Sequence, residues 1–417
     1  MSEYTRRDVV QYAAAAAALA SVPVARGVRR DREREQVSGG QTERARPVIL
    51  DVNGFFASMK AGLTGTNGYS MELRRHGVSI GSYSAGNAID GPAQSTPAVP
   101  VSSVPWTTAT PMQIASCSKV ITAMALVRLL AEQGVSPDDL ISPYLPGYWF
   151  PLGPNAGLIT FADLMTQTSG LTDPSGGQDY TAARQAIQLG AADASQIGVK
   201  WDYQNINFDL CRILMATVSG TVSTSYLNYG VPNPQPTAAD QAWDAKTLKF
   251  YQQYVQEFVL GPAGVTATLT RPAGCALAYT APPVTAPGWN SGDMTEYAGP
   301  TGWHMSVDAM LTLMGAFRRK GTIMSPAAAQ AMLAAKYAID WGDGINLSSP
   351  AGPLYPKNGS QGSIQVEQTS VVFFPLDMEF AVWVNSPVTG FLLGTACNAF
   401  TSNLTYSLRA PVPPHRP

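Results

Sequence analysis

Residues 114–134 read IASCSKVITAMALVRLLAEQG. Val120, Ile121, Met124, Leu126, Val127, Leu129 and Leu130 nearly encircle a helix of this pitch, which predicts a buried helix. Yet Ser116 and Lys119 stand one turn apart near its start, and positions i and i+3 share a helical face. A hydroxyl and an amine that can meet there make a nucleophile and a base. The plainer alternative is an N-cap serine beside a solvated lysine. The rest of the chain decides between them.

Two further stretches bear on that choice. Tyr203-Gln204-Asn205 follows Trp201-Asp202 and runs straight into the helical pattern NFDLCRILMATVSG. A tyrosine and an amide two residues apart on a loop can point into one cleft, the phenol to move a proton and the amide to hold the lysine and a substrate carbonyl. Tyr226-Leu227-Asn228 has the same spacing but follows the helix, inside a Thr/Ser/Pro-rich loop, and is set aside. Lys357-Asn358-Gly359-Ser360 immediately precedes two apolar strand patterns. There a cation can bind a substrate carboxylate or tune the tyrosine, while a glycine lets a ligand lie against the strand backbone. An ordinary turn with a solvated lysine is the alternative.

Around these motifs the pattern predicts a helix over Pro47–Gly62 and a pair of strands over Tyr69–Ala88. From 135 to 300 the chain reads as helices and loops. Two more helices are expected over 302–320 and 325–335. QVEQTSVVFF and MEFAVWVNS then flank Pro375-Leu376-Asp377 as a hairpin, and a last helix runs over about Phe391–Leu408. Strands at both ends with helices between them predict an α+β fold, one mostly antiparallel sheet flanked by helices with a mostly helical domain inserted in it. In this reading 47–111 and 305–410 form the sheet domain, 112–304 the helical domain and 411–417 a tail.

Of the 417 residues 45% are hydrophobic and only 13% charged, and the formal net charge is -2. That balance gives no electrostatic reason to expect nucleic acid or an anionic membrane as a partner, so the expected partner is a small-molecule or short-peptide substrate. Paired Arg6 and Arg7 precede an alanine-rich stretch over about residues 12–25, which resembles a twin-arginine export signal with Ala18-Leu19-Ala20 or the region up to Ala25 as cleavage points. A mixed-charge run to about residue 46 then reads as a disordered linker. Residues 1–46 therefore lie outside the fold, the protein is expected to be exported, and no stretch reaches the length of a membrane span. Cys117, Cys211, Cys275 and Cys397 lack zinc-site spacing; the first two read as buried thiols, while Cys275 and Cys397 are able to pair only if the compartment is oxidising and their geometry permits.

S-C-S-K, Y-Q-N and K-N-G, in that order and with 87 residues between Ser116 and Tyr203, resemble the serine β-lactamase and penicillin-binding-protein superfamily, in its class C branch with esterase and D-aminopeptidase relatives. LMTQTSGL, YVQEFVLGPAGV and GWHMSVDAMLTLM resemble connecting segments of that branch, so the similarity runs from about residue 50 to 405. Asn358 stands where the β-lactamases carry threonine, which weakens the case for β-lactams, and Gln167 stands where histidine is usual, with no catalytic consequence derivable from sequence. The resemblance implies a β-lactamase/transpeptidase-like fold and a serine hydrolase working through an acyl-enzyme, with no cofactor or metal. Ser116 would be the nucleophile. Either Lys119 serves as its base or Lys119 keeps Tyr203 as phenolate, and Tyr203 shuttles the proton. Asn205, Lys357, Gly359 and Ser360 would bind substrate, with the Ser116 and Ser360 N–H groups as the oxyanion hole.

Two other readings compete. Gly77-Val78-Ser79-Ile80-Gly81 matches the G-x-S-x-G elbow of α/β-hydrolases, but no helical pattern follows it as that elbow requires, and only His304 among the three histidines fits the expected order. A non-hydrolytic penicillin-fold module for binding or sensing is the second, opposed by the functional residue types kept at every motif.

Overall fold

The computed structural model describes residues 47–90, 102–174, 178–226, 236–284, 286–342, 344–390 and 392–406. The twin-arginine stretch, the linker, Asn228, His415 and the 411–417 tail lie outside them.

Strand β1 (Val48–Leu50) leads into helix α1 (Val52–Gly62). The sequence places a helix over the whole of 47–62; the helix starts instead at Asp51, whose carboxylate caps it by accepting from Gly54 N at 3.1 Å. Strands β2 (Gly68–Arg75) and β3 (Val78–Ile89) form a hairpin. Its turn residues His76 and Gly77 both have positive φ, as a tight two-residue hairpin turn requires. β4 (Val104–Pro105) and β5 (Met112–Gln113) follow, and then a 3-10 turn, Ala115–Cys117, enters α2 (Ser118–Gln133). Next come α3 (Phe161–Thr166), α4 (Tyr180–Leu189), α5 (Ile206–Val218) and α6 (Pro236–Val255).

β6 (His304–Met305) returns to pair with β5, so the two ends of the helical stretch meet. The expected 302–320 helix therefore starts later: α7 (Val307–Gly315) begins after the cap Ser306, whose hydroxyl accepts from Ala309 N, and a π-helical turn, Ala316–Lys320, carries it on to the expected end. After α8 (Pro326–Ala334) and the short pair β7 (Ser348–Ser349) and β8 (Gly352–Pro353) come β9 (Tyr355–Gln361), β10 (Glu367–Phe374) and β11 (Met378–Val384). Leu376 and Asp377, both at positive φ, turn the expected hairpin. The last helix, α9 (Leu392–Ser402), stops short of 408 because β12 (Leu404–Tyr406) pairs with β1.

Six strands form the main antiparallel sheet in the order β4-β3-β2-β11-β10-β9. Both of its faces are covered at the centre, which is why β10 and β11 read as nearly continuous apolar runs rather than alternating ones. Val371, Phe373, Ala381 and Trp383 pack against the helical stretch. Val372, Phe374, Phe380 and Val382 face α1 and α9, where Phe374 stacks on Phe400 at 4.1 Å. β9, at the sheet edge, lies beside the 3-10 turn that carries Ser116. That juxtaposition creates the site.

Candidate active site

Ser116 sits in the 3-10 turn just ahead of α2, not within the α-helix. Neither Ser116 nor Lys119 fits the plainer alternative. The positions capping the turn and the helix are Ile114 and Cys117, with no side-chain cap bond, and Lys119 is 0% exposed. The turn is held tightly. Ala115 has φ 48, outside the usual range for a residue with a side chain, and its N–H is taken by Gln113 Oε1 at 2.6 Å. Trp303 fastens the turn from the other side, its O accepting from Ile114 N at 2.8 Å and its N donating to Ser118 Oγ at 3.3 Å.

Lys119 Nζ lies 3.1 Å from Ser116 Oγ, 2.6 Å from Asn205 Oδ1 and 2.9 Å from Pro300 O. Burial pushes its pKa below the ordinary lysine value and the Lys357 charge pushes the same way, against an opposing pull from Tyr203. Tyr203 OH is 2.5 Å from Ser116 Oγ and 3.3 Å from Asn205 Oδ1. Burial alone would raise this phenol; the Lys119 and Lys357 charges outweigh it and hold the pKa below the ordinary tyrosine value. The two ammonium groups lie 4.9 Å and 4.7 Å from its ring centroid. The protonation of Tyr203 depends on that of Lys119 and the reverse, so these two titrate as a pair.

Two residues hold the tyrosine loop in place, Asp173, which sequence reading passes over, and Gln167, to which it assigns no role. Asp173 accepts from Asn205 N at 3.1 Å and Ile206 N at 2.8 Å, satisfying donors that the start of α5 leaves open and placing a negative charge at its positive end. Gln167, in the left-handed conformation after α3, accepts from Gln204 N at 3.0 Å and Asn207 Nδ2 at 2.6 Å. Its backbone O accepts from Asp202 N at 2.8 Å. The departure at Gln167 thus carries a positioning role that the sequence did not reveal.

On the sheet side, Lys357 is 2% exposed and ion-paired with Asp340. Burial would lower its pKa; the charges of Asp340 and Tyr203 outweigh that and raise it. The lysine is neither solvated nor free. Gly359 has a packing role as well. A Cβ there would lie 2.7 Å from Ile114 O and 2.9 Å from Ala115 Cβ, so its bareness lets β9 approach the turn that carries Ser116. Thr369 Oγ1, across the strand, donates to Ile114 O at 2.8 Å and ties the same turn to the sheet. Ser360 is exposed. Pro356 O and Asn358 N point off the open edge of β9, to Asp340. Hydrogen-bonding direction repeats at every second residue of an antiparallel strand, so the Ser360 N–H points off that edge too.

The competing motifs lie elsewhere. Ser79 sits in β3 opposite Arg74, while His304 bonds Ser291 Oγ at 3.2 Å and Thr268 O at 3.3 Å, its pKa lowered by burial to about 4. Tyr226 packs on Trp243 at 5.6 Å. Cys275 and Cys397 do not pair: all four cysteines are free and buried, and Cys397 packs among the apolar residues of α1, α9 and the sheet.

An antiparallel sheet edge set against a serine, a buried lysine and a tyrosine in mutual contact defines the serine β-lactamase and penicillin-binding-protein superfamily. Within it, the chain belongs to the β-lactamase family, whose model, described as Beta-lactamase, matches residues 71–386. Curated relatives include the putative penicillin-binding protein PbpX of Bacillus subtilis, 25% identical over 162 residues, which are 38% of this chain and 32% of that protein. Protein flp of Staphylococcus aureus is 25% identical over 28% of this chain and 25% of its own length. The chain thus matches a third or less of these relatives. Among solved structures, FmtA of Staphylococcus aureus superposes with a TM-score of 0.59 at 16% identity, covering 89% of this chain and 95% of that one. A class C β-lactamase from Rhodobacter sphaeroides does so with 0.56 at 18%, covering 84% and 99%. EstCE1, described as a hydrolase with promiscuous acyltransferase activity, gives 0.57 at 17%, covering 84% and 99%. At these identities the structural likeness speaks for the fold.

Proposed function

We propose that this protein is a serine hydrolase that cleaves an ester or amide through an acyl-enzyme on Ser116. The observation that carries the reading is the Ser116 hydroxyl held 2.5 Å from the Tyr203 phenol and 3.1 Å from the fully buried Lys119 ammonium. A free serine is a poor nucleophile and needs a neighbouring base. Tyr203 is that base in our scheme: it makes the shorter contact, and two cations flank its ring and favour the phenolate.

As Ser116 Oγ attacks the carbonyl carbon, its proton passes to the Tyr203 oxygen and the carbonyl π pair moves to oxygen. The backbone N–H groups of Ser116 and Ser360 receive that oxyanion. Collapse expels the leaving group, which takes the proton from Tyr203. Water then attacks the acyl-enzyme by the same route, giving its proton to Tyr203 and restoring Ser116. Asn205 fixes Lys119 and presents its amide to the substrate carbonyl. The family match and the fold shared with a class C β-lactamase and with EstCE1 support acyl transfer from serine. The paired Arg6 and Arg7 ahead of an alanine-rich stretch support export of the enzyme, and the net charge of -2 supports a small-molecule or short-peptide substrate, met outside the cytoplasm.

Hydrolysis of p-nitrophenyl butyrate tests the proposal. The wild type should turn it over saturably, and Ser116→Ala should fall to the rate of buffer alone. A Ser116→Ala protein as active as wild type would overturn it.

A further inference from the structure

Lys357 is the cation that the motif offers to a substrate carboxylate, and the structure shows it already engaged. Asp340, 3% exposed, pairs with its ammonium. The same carboxylate accepts from Asn358 N at 2.8 Å, and Asp340 N donates to Pro356 O at 2.9 Å. Asp340 is therefore stitched to the edge of β9 on both sides of the lysine it neutralises. Its loop is anchored in turn: Ala338 N donates to Met165 O at 2.9 Å and Trp341 Nε1 to Thr166 O at 3.1 Å, while Gly342 lies flush against the ring of Trp201. The second cation of the site, Lys119, is likewise enclosed and spent on Ser116, Asn205 and Pro300. A carboxylate brought up to Ser116 would meet one lysine paired with Asp340, another bound to three oxygens, and the negative charge of Asp340 itself.

We propose that Asp340 is a specificity-determining residue: by neutralising Lys357 it turns the site against substrates with a carboxylate beside the scissile bond and selects uncharged esters or amides. The inference rests on Ser116 being the nucleophile. Lys357 is left to support the Tyr203 phenolate instead of binding substrate. Leaving the competitor's charge without a partner is a common means of discrimination and acts without any new attractive contact.

A matched pair of aryl esters tests this: 3-carboxyphenyl phenylacetate and its methyl ester, each enzymatic kcat/KM divided by the ester's own rate with hydroxide. The wild type should prefer the methyl ester by about tenfold or more. Asp340→Asn keeps the shape and an acceptor for Asn358 N while removing the charge, and should shift the ratio toward the acid by about tenfold. A wild type that uses the acid as well as, or better than, the methyl ester overturns the inference while leaving Ser116 as nucleophile. An unchanged ratio in a folded Asp340→Asn protein does the same. If that variant does not fold, the wild-type ratio decides alone. Turnover of neither ester overturns the inference; the reading of Ser116 beneath it falls as well only if p-nitrophenyl butyrate is also left untouched.

Discussion

Lys119 and Lys357 are both buried and both face the Tyr203 ring, yet their pKa values move in opposite directions. Burial pushes each down. Only Lys357 has a carboxylate against it, so only Lys357 ends above the ordinary value. The division of labour follows: Lys357 stays charged throughout the working range, and the Tyr203–Lys119 pair is the part that titrates. The sign can be checked on the pH dependence of kcat/KM. Replacing the ion pair as a unit, Lys357→Met with Asp340→Asn, avoids leaving a buried charge alone. It removes the cation that lowers both Tyr203 and Lys119, and with it the smaller opposing effect of Asp340 on Tyr203, so both pKa values should rise and the ascending limb of the profile should move to higher pH. A limb that stays in place or moves to lower pH would contradict this assignment.

At the scale of elements, the site depends on how closely an edge strand approaches a single turn. Gly359 makes the approach possible, and Thr369 Oγ1 fastens it through Ile114 O. Gly359→Ala should cost about 1–3 kcal/mol in denaturant unfolding, the usual range for forcing an extra methyl into a packed core. It should also lower kcat/KM for p-nitrophenyl butyrate, because β9 must retreat from Ser116. Unchanged stability and activity would mean that the strand has room to spare. The same elements show which parts of the site were readable. Ser116 and Lys119 announce themselves by helical spacing, and Tyr203 and Asn205 by standing directly ahead of a helix. Asp173 and Asp340 do not, since each acts on residues distant in sequence, Asn205 at 32 and Lys357 at 17 positions away, and only the folded chain brings them together. The misread ends of the terminal helices have a similar origin. Val48–Leu50 and Leu404–Tyr406 are strand because they pair with each other across the length of the chain, a partner that local periodicity does not contain.

Taken whole, the molecule is a sheet built from both ends of the chain, with the helical stretch packed on the face where Ser116 meets β9. The α+β architecture was legible because the buried central strands and the encircled α2 helix carry their burial in their own composition. The helical stretch brings the serine, lysine and tyrosine; the sheet edge brings Lys357 and the Ser360 N–H. Chemistry is thus divided between two parts of the chain that must close on each other to activate Ser116. Intact mass of the protein after exposure to a fluorophosphonate, with the adduct located by peptide mapping, asks this directly. One phosphonyl group should be found, on the peptide bearing Ser116, and Ser116→Ala should take none. An unlabelled wild type, or an adduct on another residue that survives in Ser116→Ala, would contradict the account.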